Sequence, residues 1–189
     1  MQFIKEDEDF ATTPFKALSE IDKKWKEYPG LIIFGSHSQG KMEEKLEKIR
    51  EARVNKIPTL GICWGLHLMA IEYARNVLNL EDANTTEVSR GCLDPVVVKM
   101  KELRVGIHRA DGRMESFWHN YHVNPVYYPK FYKDWTLNTT GEMLDSMRLK
   151  AHPHFKGVQF HPEYQSSKEK PHPLLIEFLT VCRASTFGK

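Results

Sequence analysis

The stretch Ile57-Pro-Thr-Leu-Gly-Ile-Cys-Trp-Gly65 decides the fold, because it joins a short apolar segment to a helical one through a glycine-flanked turn. Residues 57–62 are typical of a strand that is buried on both faces of a sheet. Residues 66–80 follow at once and are rich in Leu, Met, Ala and Ile, which predicts a helix. A buried strand that leads directly into a helix indicates an α/β fold with a parallel sheet.

The residues on the N-terminal side repeat this alternation. Residues 31–34 form a second apolar run, closed by Gly35, and predict another buried strand. Apolar side chains at helical spacing predict helices over residues 41–54 and 14–28, the latter with Pro14 near its first turn. The order of strands and helices therefore favours a parallel sheet that is covered by helices through right-handed crossovers.

The C-terminal half predicts shorter strands and one last helix. Polar turns such as Ala110-Asp-Gly112 and Thr140-Gly141 separate the apolar runs. The predicted strands are 95–100, 116–123, 135–139 and 157–160, and the predicted helix is 174–182. We expect one domain over residues 1–189, in which residues 1–30 form an atypically short N-terminal region.

Composition places the chain among ordinary globular domains. Of its 189 residues, 41% are hydrophobic and 28% are charged, which excludes disordered and low-complexity classes. Lys and Arg number 27 and Asp and Glu 25, so the formal charge of +2 predicts neither a nucleic acid nor a membrane surface as partner. The acidic N-terminus lacks a secretory pattern and no apolar run reaches the roughly 18 residues of a membrane span, so we expect a cytoplasmic protein.

Cys63 is the first candidate for chemistry. The pattern Gly61-Ile-Cys-Trp-Gly65 has the form of a nucleophile elbow with cysteine in place of serine. A helix N-terminus favours the thiolate, and the backbone N–H of Trp64 is placed to donate to an oxyanion. The chain's three cysteines show no paired short spacing, so they predict neither a disulfide framework nor a cysteine zinc site. A structural cysteine at a helix start is the alternative interpretation.

His161 and Glu163 are the second candidate. They lie in the segment 157–163 (GVQFHPE), which we interpret as extended, and residues i and i+2 of a strand project to the same face. A carboxylate beside an imidazole fixes its tautomer, and the imidazole can then activate a thiol. Cys63, His161 and Glu163 are therefore a candidate catalytic triad. The alternative is a histidine at a strand end beside a solvated glutamate.

Several segments together carry a resemblance to a known family. In the family's order they are GICWGLH (61–67), IEYARNVLNL (71–80), DANTTE (82–87), HPHFKGVQFHPEYQSS (152–167) and PHPLLIEF (171–178). Over about residues 31–183 the chain resembles the class I (triad) glutamine amidotransferases, in particular the glutaminase domain of CTP synthase. The resemblance implies a flavodoxin-like, three-layer α/β fold with a mostly parallel central sheet.

The resemblance also implies an activity. Cys63 would attack the γ-amide of glutamine, ammonia would leave, and water would hydrolyse a γ-glutamyl thioester, with His161 as general base and acid and Glu163 as its orienter. No cofactor and no metal are implied. The sequence resembles no synthetase domain, so the ammonia would need a separate synthetase or amidoligase subunit, and the resemblance connects the chain with pyrimidine nucleotide biosynthesis.

The substrate pocket both follows and departs from the family pattern. Glu87 matches the position that holds the substrate's amino group, and Tyr121 falls in the substrate-proximal strand. The second oxyanion donor would come from Gly35 or Ser36, within the segment 34–40 (FGSHSQG), which is shorter than the family's glycine-rich strand and has serine in place of a glycine.

Two further departures bear on the substrate. His67 takes the place of the family's glutamine four residues after the nucleophile, and Asn120 replaces the arginine that would bind the α-carboxylate of glutamine. Loss of a charge-assisted contact typically weakens binding by about 1.5–3 kcal/mol. Two alternatives therefore stand beside glutamine hydrolysis: hydrolysis of another γ-glutamyl conjugate, and a catalytically impaired homologue that acts as a binding or regulatory subunit.

Three other patterns predict less. Residues 35–42 match the spacing of a P-loop, but Met42 replaces the Ser or Thr that would bind Mg²⁺. The nine histidines include no H-E-x-x-H pattern that would indicate a metal site. The aromatic residues within 117–135 could stack on a ring-shaped substrate, although packing is their commoner use.

Overall fold

The structure is a computed structural model that describes residues 1–4, 8–36 and 40–186. The helices are α1 (Glu8–Ile21), α2 (Met42–Val54), α3 (Trp64–Asn76), α4 (Tyr128–Phe131) and α5 (Pro173–Ala184). The strands are β1 (Gln2–Ile4), β2 (Leu31–Ile33), β3 (Thr59–Ile62), β4 (Ala83–Thr85), β5 (Asp94–Ala110), β6 (Arg113–Val123), β7 (Trp135–Thr140), β8 (Met143–Leu149) and β9 (Phe155–Val158).

The central sheet has the strand order β1-β2-β3-β9-β8-β7. Strands β1, β2, β3 and β9 are parallel, whereas β8 and β7 are antiparallel to their neighbours. Because β2, β3 and β9 run in the same direction, their carboxyl ends meet at one edge of the sheet, where open α/β sheets bind their ligands. The expected mostly parallel central sheet is confirmed.

Helices cover both faces of this sheet. Alternate side chains of residues 31–34, which comprise β2 and the residue after it, face opposite sides of the sheet. Leu31 and Ile33 pack in one buried cluster with α2 and α3. Ile32 and Phe34 pack in a second cluster with α1 and α5. The arrangement has three layers, as the sequence predicts, and the two apolar clusters fix the central strands from both sides.

A second, smaller sheet has the order β4-β5-β6. Its long β5–β6 hairpin turns at Asp111 and Gly112, both with positive φ, and its register shifts between Lys99 and Arg104. The backbone N–H of His161, just past β9, donates to the carbonyl oxygen of Ser116 in β6 at 2.7 Å. The hairpin is therefore joined to the edge at which β9 ends.

The first helix differs from the sequence prediction. We expected residues 14–28, whereas α1 begins at Glu8 and ends at Ile21, so that Pro14 lies inside the helix and not in its first turn. The helix ends where Asp22 accepts a hydrogen bond from the backbone N–H of Lys24, a local bond that competes with helix continuation. Trp25 belongs to a separate 3₁₀ turn and is buried.

The strand predicted over residues 95–100 is much longer than expected, since β5 continues to Ala110 as one arm of the hairpin. Other boundaries shift by a few residues, and β1, β4 and β8 were not predicted. The hydrophobic pattern does not predict strand β8, because Asp145 and Ser146 occupy its buried centre. Asp145 pairs there with Arg104 of the hairpin at 3.0 Å. No helix in the described part of the chain is long and apolar enough to span a membrane.

Candidate active site

Cys63 lies between the end of β3 and the start of α3. Its backbone angles are φ 53° and ψ −105°, and such a positive φ is uncommon and strained for a residue with a side chain. Its backbone N–H donates to the carbonyl oxygen of Val158 in β9 at 2.7 Å. The chain therefore makes a sharp turn at Cys63 that is attached to the neighbouring parallel strand.

The glycines on either side of Cys63 allow a close approach of strand and helix. A Cβ atom at Gly65 would lie 2.6 Å from the backbone oxygen of Ile33, and one at Gly61 would lie 2.7 Å from the carbonyl carbon of Gly65. Neither backbone atom can move aside without disturbing β2 or α3. Any larger residue would therefore displace the turn that positions Cys63.

His161 and Glu163 are in contact, although the predicted reason was wrong. The sequence suggested strand alternation, but a 3₁₀ turn, Pro162–Gln165, begins directly after His161 and folds the carboxylate back onto the ring. The Nδ1–H of His161 donates to Oε1 of Glu163 at 2.8 Å, and both side chains are buried. Tyr164 stacks on the imidazole at a centroid distance of 4.9 Å. The ring is thus held from its edge and from its face.

Cys63 and His161 lie side by side at the sheet edge. A single point, the Cβ position that Gly35 lacks, is 3.5 Å from Cβ of Cys63 and 3.0 Å from Cε1 of His161. Burial alone lowers the pKa of His161, but the negative charges of Glu163 and of the Cys63 thiolate, with their hydrogen bonds, outweigh it and raise this pKa well above its usual value. The arrangement therefore favours the imidazolium form of His161 beside the sulfur.

Gly35 gives a direct test of this crowded contact. Gly35→Ala should lower kcat for a reaction at Cys63 by about two- to fivefold, because the added Cβ requires the His161 ring to move by a few tenths of an ångström, and displacement by about 1 Å costs about a hundredfold. Gly91→Ala is the matched control, since a Cβ there meets nothing within 4 Å. Steady-state kinetics on both variants would measure the difference, and equal rates would contradict the proposed proximity.

Backbone N–H groups for an oxyanion are present at the start of α3. Trp64 is the first residue of α3, and the first N–H groups of any helix have no acceptor within that helix. Gly35 lies against Cys63, and Ser36 lines the adjacent cavity together with Trp64, so both lie near the sulfur. The other residues of the predicted oxyanion segment, His37, Ser38 and Gln39, lie outside the described residues.

A cavity of about 190 Å³ opens beside Cys63. It is lined by Ser36, Cys63, Trp64, His67, Glu87, Leu103, Trp118, His119, Asn120 and Tyr121. The structure thus brings all four predicted substrate residues to the cavity that contains the cysteine. Within this described lining, Glu87 is the one carboxylate and no Lys or Arg occurs.

Two histidines in this wall are neutral at ordinary pH. Burial lowers the pKa of His67 to about 4, opposed by its hydrogen bond with Gln159. Burial likewise lowers the pKa of His119 to about 3, and its Nδ1–H donates to the carbonyl oxygen of Tyr121 at 2.8 Å. Neither ring can therefore supply a cation for a substrate carboxylate near pH 7.

Sequence reasoning missed three contacts with the reacting groups. Nε2 of Gln159 lies 3.7 Å from Sγ of Cys63. The carbonyl oxygen of Trp118 lies 3.9 Å from the same sulfur. Tyr164 stacks on the imidazole of His161. The spacing of Gln159, two residues before His161, was an available signal, because both side chains leave the chain near the same sheet edge. The Trp118 contact uses a backbone atom, which leaves no mark in the sequence.

Comparison with known proteins identifies the class to which this arrangement belongs. The family pattern described as "Glutamine amidotransferase class-I" matches residues 5–181. The chain therefore belongs to the class I glutamine amidotransferase family.

Several similar curated relatives are CTP synthases. CTP synthase from Thermotoga maritima is 33% identical over 198 residues, covering 88% of this chain and 38% of the relative. CTP synthase from Chlorobium phaeobacteroides is 34% identical over 197 residues, covering 89% of this chain and 35% of the relative. The chain thus spans little more than a third of the length of these relatives.

A solved structure shares the fold. The glutaminase domain of CTPS from Trypanosoma brucei, solved with bound acivicin, superposes with a TM-score of 0.85. It covers 97% of this chain and 93% of its own at 18% identity. The fold is therefore that of a CTP synthase glutaminase domain.

Proposed function

We propose that this chain is a cysteine-triad glutaminase that hydrolyses the side-chain amide of glutamine and releases ammonia. The observation that carries the proposal is the meeting of a strained Cys63, the buried His161 and its partner Glu163 at the carboxyl edge of a parallel sheet. A cavity of the size of a small amino acid adjoins the sulfur. Membership of the glutamine amidotransferase family supports glutamine as the substrate.

The first half of the reaction forms a covalent thioester. The Cys63 thiolate attacks the γ-carbonyl carbon while its proton resides on His161, and the oxyanion accepts hydrogen bonds from the Trp64 N–H and from Gly35 or Ser36. His161 then gives its proton to the departing nitrogen, and ammonia leaves. Glu163 holds the imidazole through Nδ1, so that Nε2 faces the sulfur and the leaving group.

The second half restores the enzyme. Neutral His161 takes a proton from water as the water attacks the thioester carbonyl, and the sulfur leaves as the thiolate. The raised pKa of His161 keeps the imidazolium available to donate, while the carboxylate of Glu163 stabilises the ring each time it becomes charged. One histidine therefore acts as acid in the first half and as base in the second.

Within the cavity we assign the substrate's ammonium group to Glu87 and its backbone portion to the wall formed by Asn120 and Tyr121. His67 also borders the cavity. The ammonia would serve a synthetase or amidoligase in pyrimidine nucleotide formation, because the curated relatives are CTP synthases whose length is nearly three times the matched part.

A labelling experiment tests the proposal. The purified chain is incubated with glutamine while ammonia and glutamate are measured, and separately with a diazo-ketone analogue of glutamine followed by peptide mass spectrometry. We expect equal release of both products and a single adduct on Cys63. Cys92 is the internal control, because it is also a partly exposed free thiol. Equal labelling of Cys92, or an absence of both label and ammonia, would contradict a glutaminase.

A second candidate, hydrolysis of a larger γ-glutamyl conjugate, is favoured by one observation. The cavity lining offers the carboxylate of Glu87 for an ammonium group but, among its described residues, no Lys or Arg for a free α-carboxylate. An amide or ester at that position would remove the need for a cation. A label on Cys63 without turnover of glutamine would favour hydrolysis of such a conjugate, or a binding role, over glutamine hydrolysis.

Asn120→Arg tests the importance of this missing cation. The variant should lower KM for free glutamine by about ten- to a hundredfold, because a charge-assisted hydrogen bond contributes about 1.5–3 kcal/mol. Asn120→Gln is the control, since it adds length without charge. Steady-state KM values would measure the effect, and an unchanged KM in the arginine variant would show that the α-carboxylate is bound elsewhere.

A further inference from the structure

Gln159 connects the nucleophile with a buried histidine. Its side-chain Nε2 lies 3.7 Å from Sγ of Cys63, and its Oε1 lies 2.8 Å from Nε2 of His67. Gln159 is completely buried and His67 is 3% exposed. The three side chains come from β3–α3 and from the end of β9, and they form a continuous polar chain beneath the cavity.

The orientation of the Gln159 amide determines whether its NH₂ group or its oxygen faces the sulfur of Cys63. A primary amide has a donating NH₂ end and an accepting oxygen end, so one end must face His67 and the other Cys63. The sulfur already lies 3.9 Å from one acceptor, the carbonyl oxygen of Trp118, so an amide oxygen from Gln159 would add a second acceptor and leave a thiolate with less stabilisation. The NH₂ end facing the sulfur requires that His67 present Nε2–H to the amide oxygen, which is the orientation in the structure.

We propose that Gln159 is a further catalytic residue, which donates a hydrogen bond to the Cys63 thiolate, and that His67 is the positioning residue that fixes the direction of the Gln159 amide. This inference deepens the proposed function and rests on it for the reaction that the thiolate performs. It gives His67 a role that differs from substrate binding.

Two properties of His67 suit it to that role. Its pKa, lowered to about 4 by burial, keeps the ring neutral, so it carries a single N–H and cannot place a positive charge beside the thiolate–imidazolium pair. Trp64 packs against the ring edge to face at 5.8 Å, which limits its rotation. The ring can then serve as a fixed donor to Gln159.

The donor acts whenever the sulfur carries charge. It stabilises the resting thiolate, loses its charged acceptor when the thioester forms, and regains it as the thioester breaks and the sulfur leaves. His161, held by Glu163, acts on the same sulfur, and His119 of β6 lies near both His67 and His161. The contribution of Gln159 is thus additional to that of the triad.

The rate of alkylation of Cys63 by iodoacetamide, measured against pH, tests the inference without glutamine. Gln159→Met keeps the length of the side chain but removes the donor, and it should move the midpoint of the profile upward by about one pH unit, roughly a tenfold loss of thiolate below the midpoint. The limiting rate at high pH should stay unchanged. Cys92, followed as a separate peptide in the same samples, is the matched control whose profile should not move.

Variants of His67 test the positioning role. His67→Gln supplies another N–H donor and should leave the midpoint near that of the unaltered protein, whereas His67→Leu should raise it by less than Gln159→Met does. The double variant His67→Leu/Gln159→Met removes both polar partners, so neither is left buried alone. Its midpoint should match that of Gln159→Met. The double variant therefore provides the test even where Gln159→Met folds poorly. An unmoved midpoint in both variants lacking Gln159 would overturn the inference, whether or not glutamine is hydrolysed.

Discussion

Replacement of Cys63 by alanine should lower kcat/KM for glutamine by about 10⁴-fold or more, because it removes the atom that forms the covalent bond. No other described thiol lies beside His161: Cys182 is buried among the α5 side chains, and Cys92 lies outside the cavity lining. Residual hydrolysis would come from the oxyanion donors and substrate binding alone. Initial rates of ammonia release, with folding checked by circular dichroism, would measure the loss.

Two further substitutions make this result specific. Cys92→Ala should leave the rate unchanged, since it removes a partly exposed cysteine at a distance from the triad. Cys63→Ser keeps the shape of the side chain and should lose nearly as much activity as alanine, because a hydroxyl is far less readily ionised than a thiol. Substantial turnover in Cys63→Ala would assign the chemistry to another group and contradict the triad mechanism.

Acidification from pH 7 to pH 5 should lower the free energy of unfolding by about 6 kcal/mol through three buried histidines. Burial lowers the pKa of His67 and of His154 to about 4 and that of His119 to about 3, from an ordinary value of 6.5. The unfolded chain therefore binds more protons than the folded chain below pH 6.5, and stability falls as the pH falls. Each ring contributes about 2 kcal/mol by pH 5.

His161 changes stability in the opposite sense. The pKa of His161 is raised in the folded protein, so its contribution is fully present below pH 6.5 and is lost as the pH rises through the folded value. It therefore adds nothing to the loss between pH 6.5 and pH 5. Burial also lowers the pKa of His122 and of His152, which act in the same direction as the three strongly shifted rings.

Urea unfolding at pH 7, 6 and 5 would measure this dependence. Because a domain is typically stable by about 5–15 kcal/mol, the expected loss brings the protein close to unfolding at pH 5. His154→Gln should reduce the slope of stability against pH by about a third, since of the three strongly shifted rings it removes the one that does not line the cavity. A stability independent of pH between 7 and 5 would show that these rings accept protons in the folded state.

The layered fold was predictable because its central strands are continuous apolar runs. Residues 31–34 and 57–62 correspond to β2 and β3, and the helical stripe at 41–54 corresponds to α2. Strand β8 was not predictable by the same rule, since its buried face carries Asp145, whose partner Arg104 lies 41 residues away. Local patterning cannot reveal a polar residue that is made tolerable by a distant ion pair.

The candidate site divides in a similar way. Residue type and short local spacing were sufficient to predict Cys63, His161 and Glu163 as candidates from the sequence. Gly35 and Gln159 do not, because their importance comes from where the fold brings them: one leaves room beside the imidazole, and the other places an amide beside the sulfur. The contact between His161 and Glu163 was predicted, but the 3₁₀ turn that makes it was not.

The division between the two sheets has a consequence for how this protein can diversify. Cys63 follows β3 and His161 follows β9. These parallel strands are neighbours, and a backbone hydrogen bond joins Cys63 to Val158. Asn120, Tyr121 and Leu103 stand on the separate hairpin. Exchange of these hairpin side chains can therefore reshape the cavity wall while the hairpin backbone keeps its contacts with Cys63 and His161, so that new selectivities can arise around an unchanged pair of side chains.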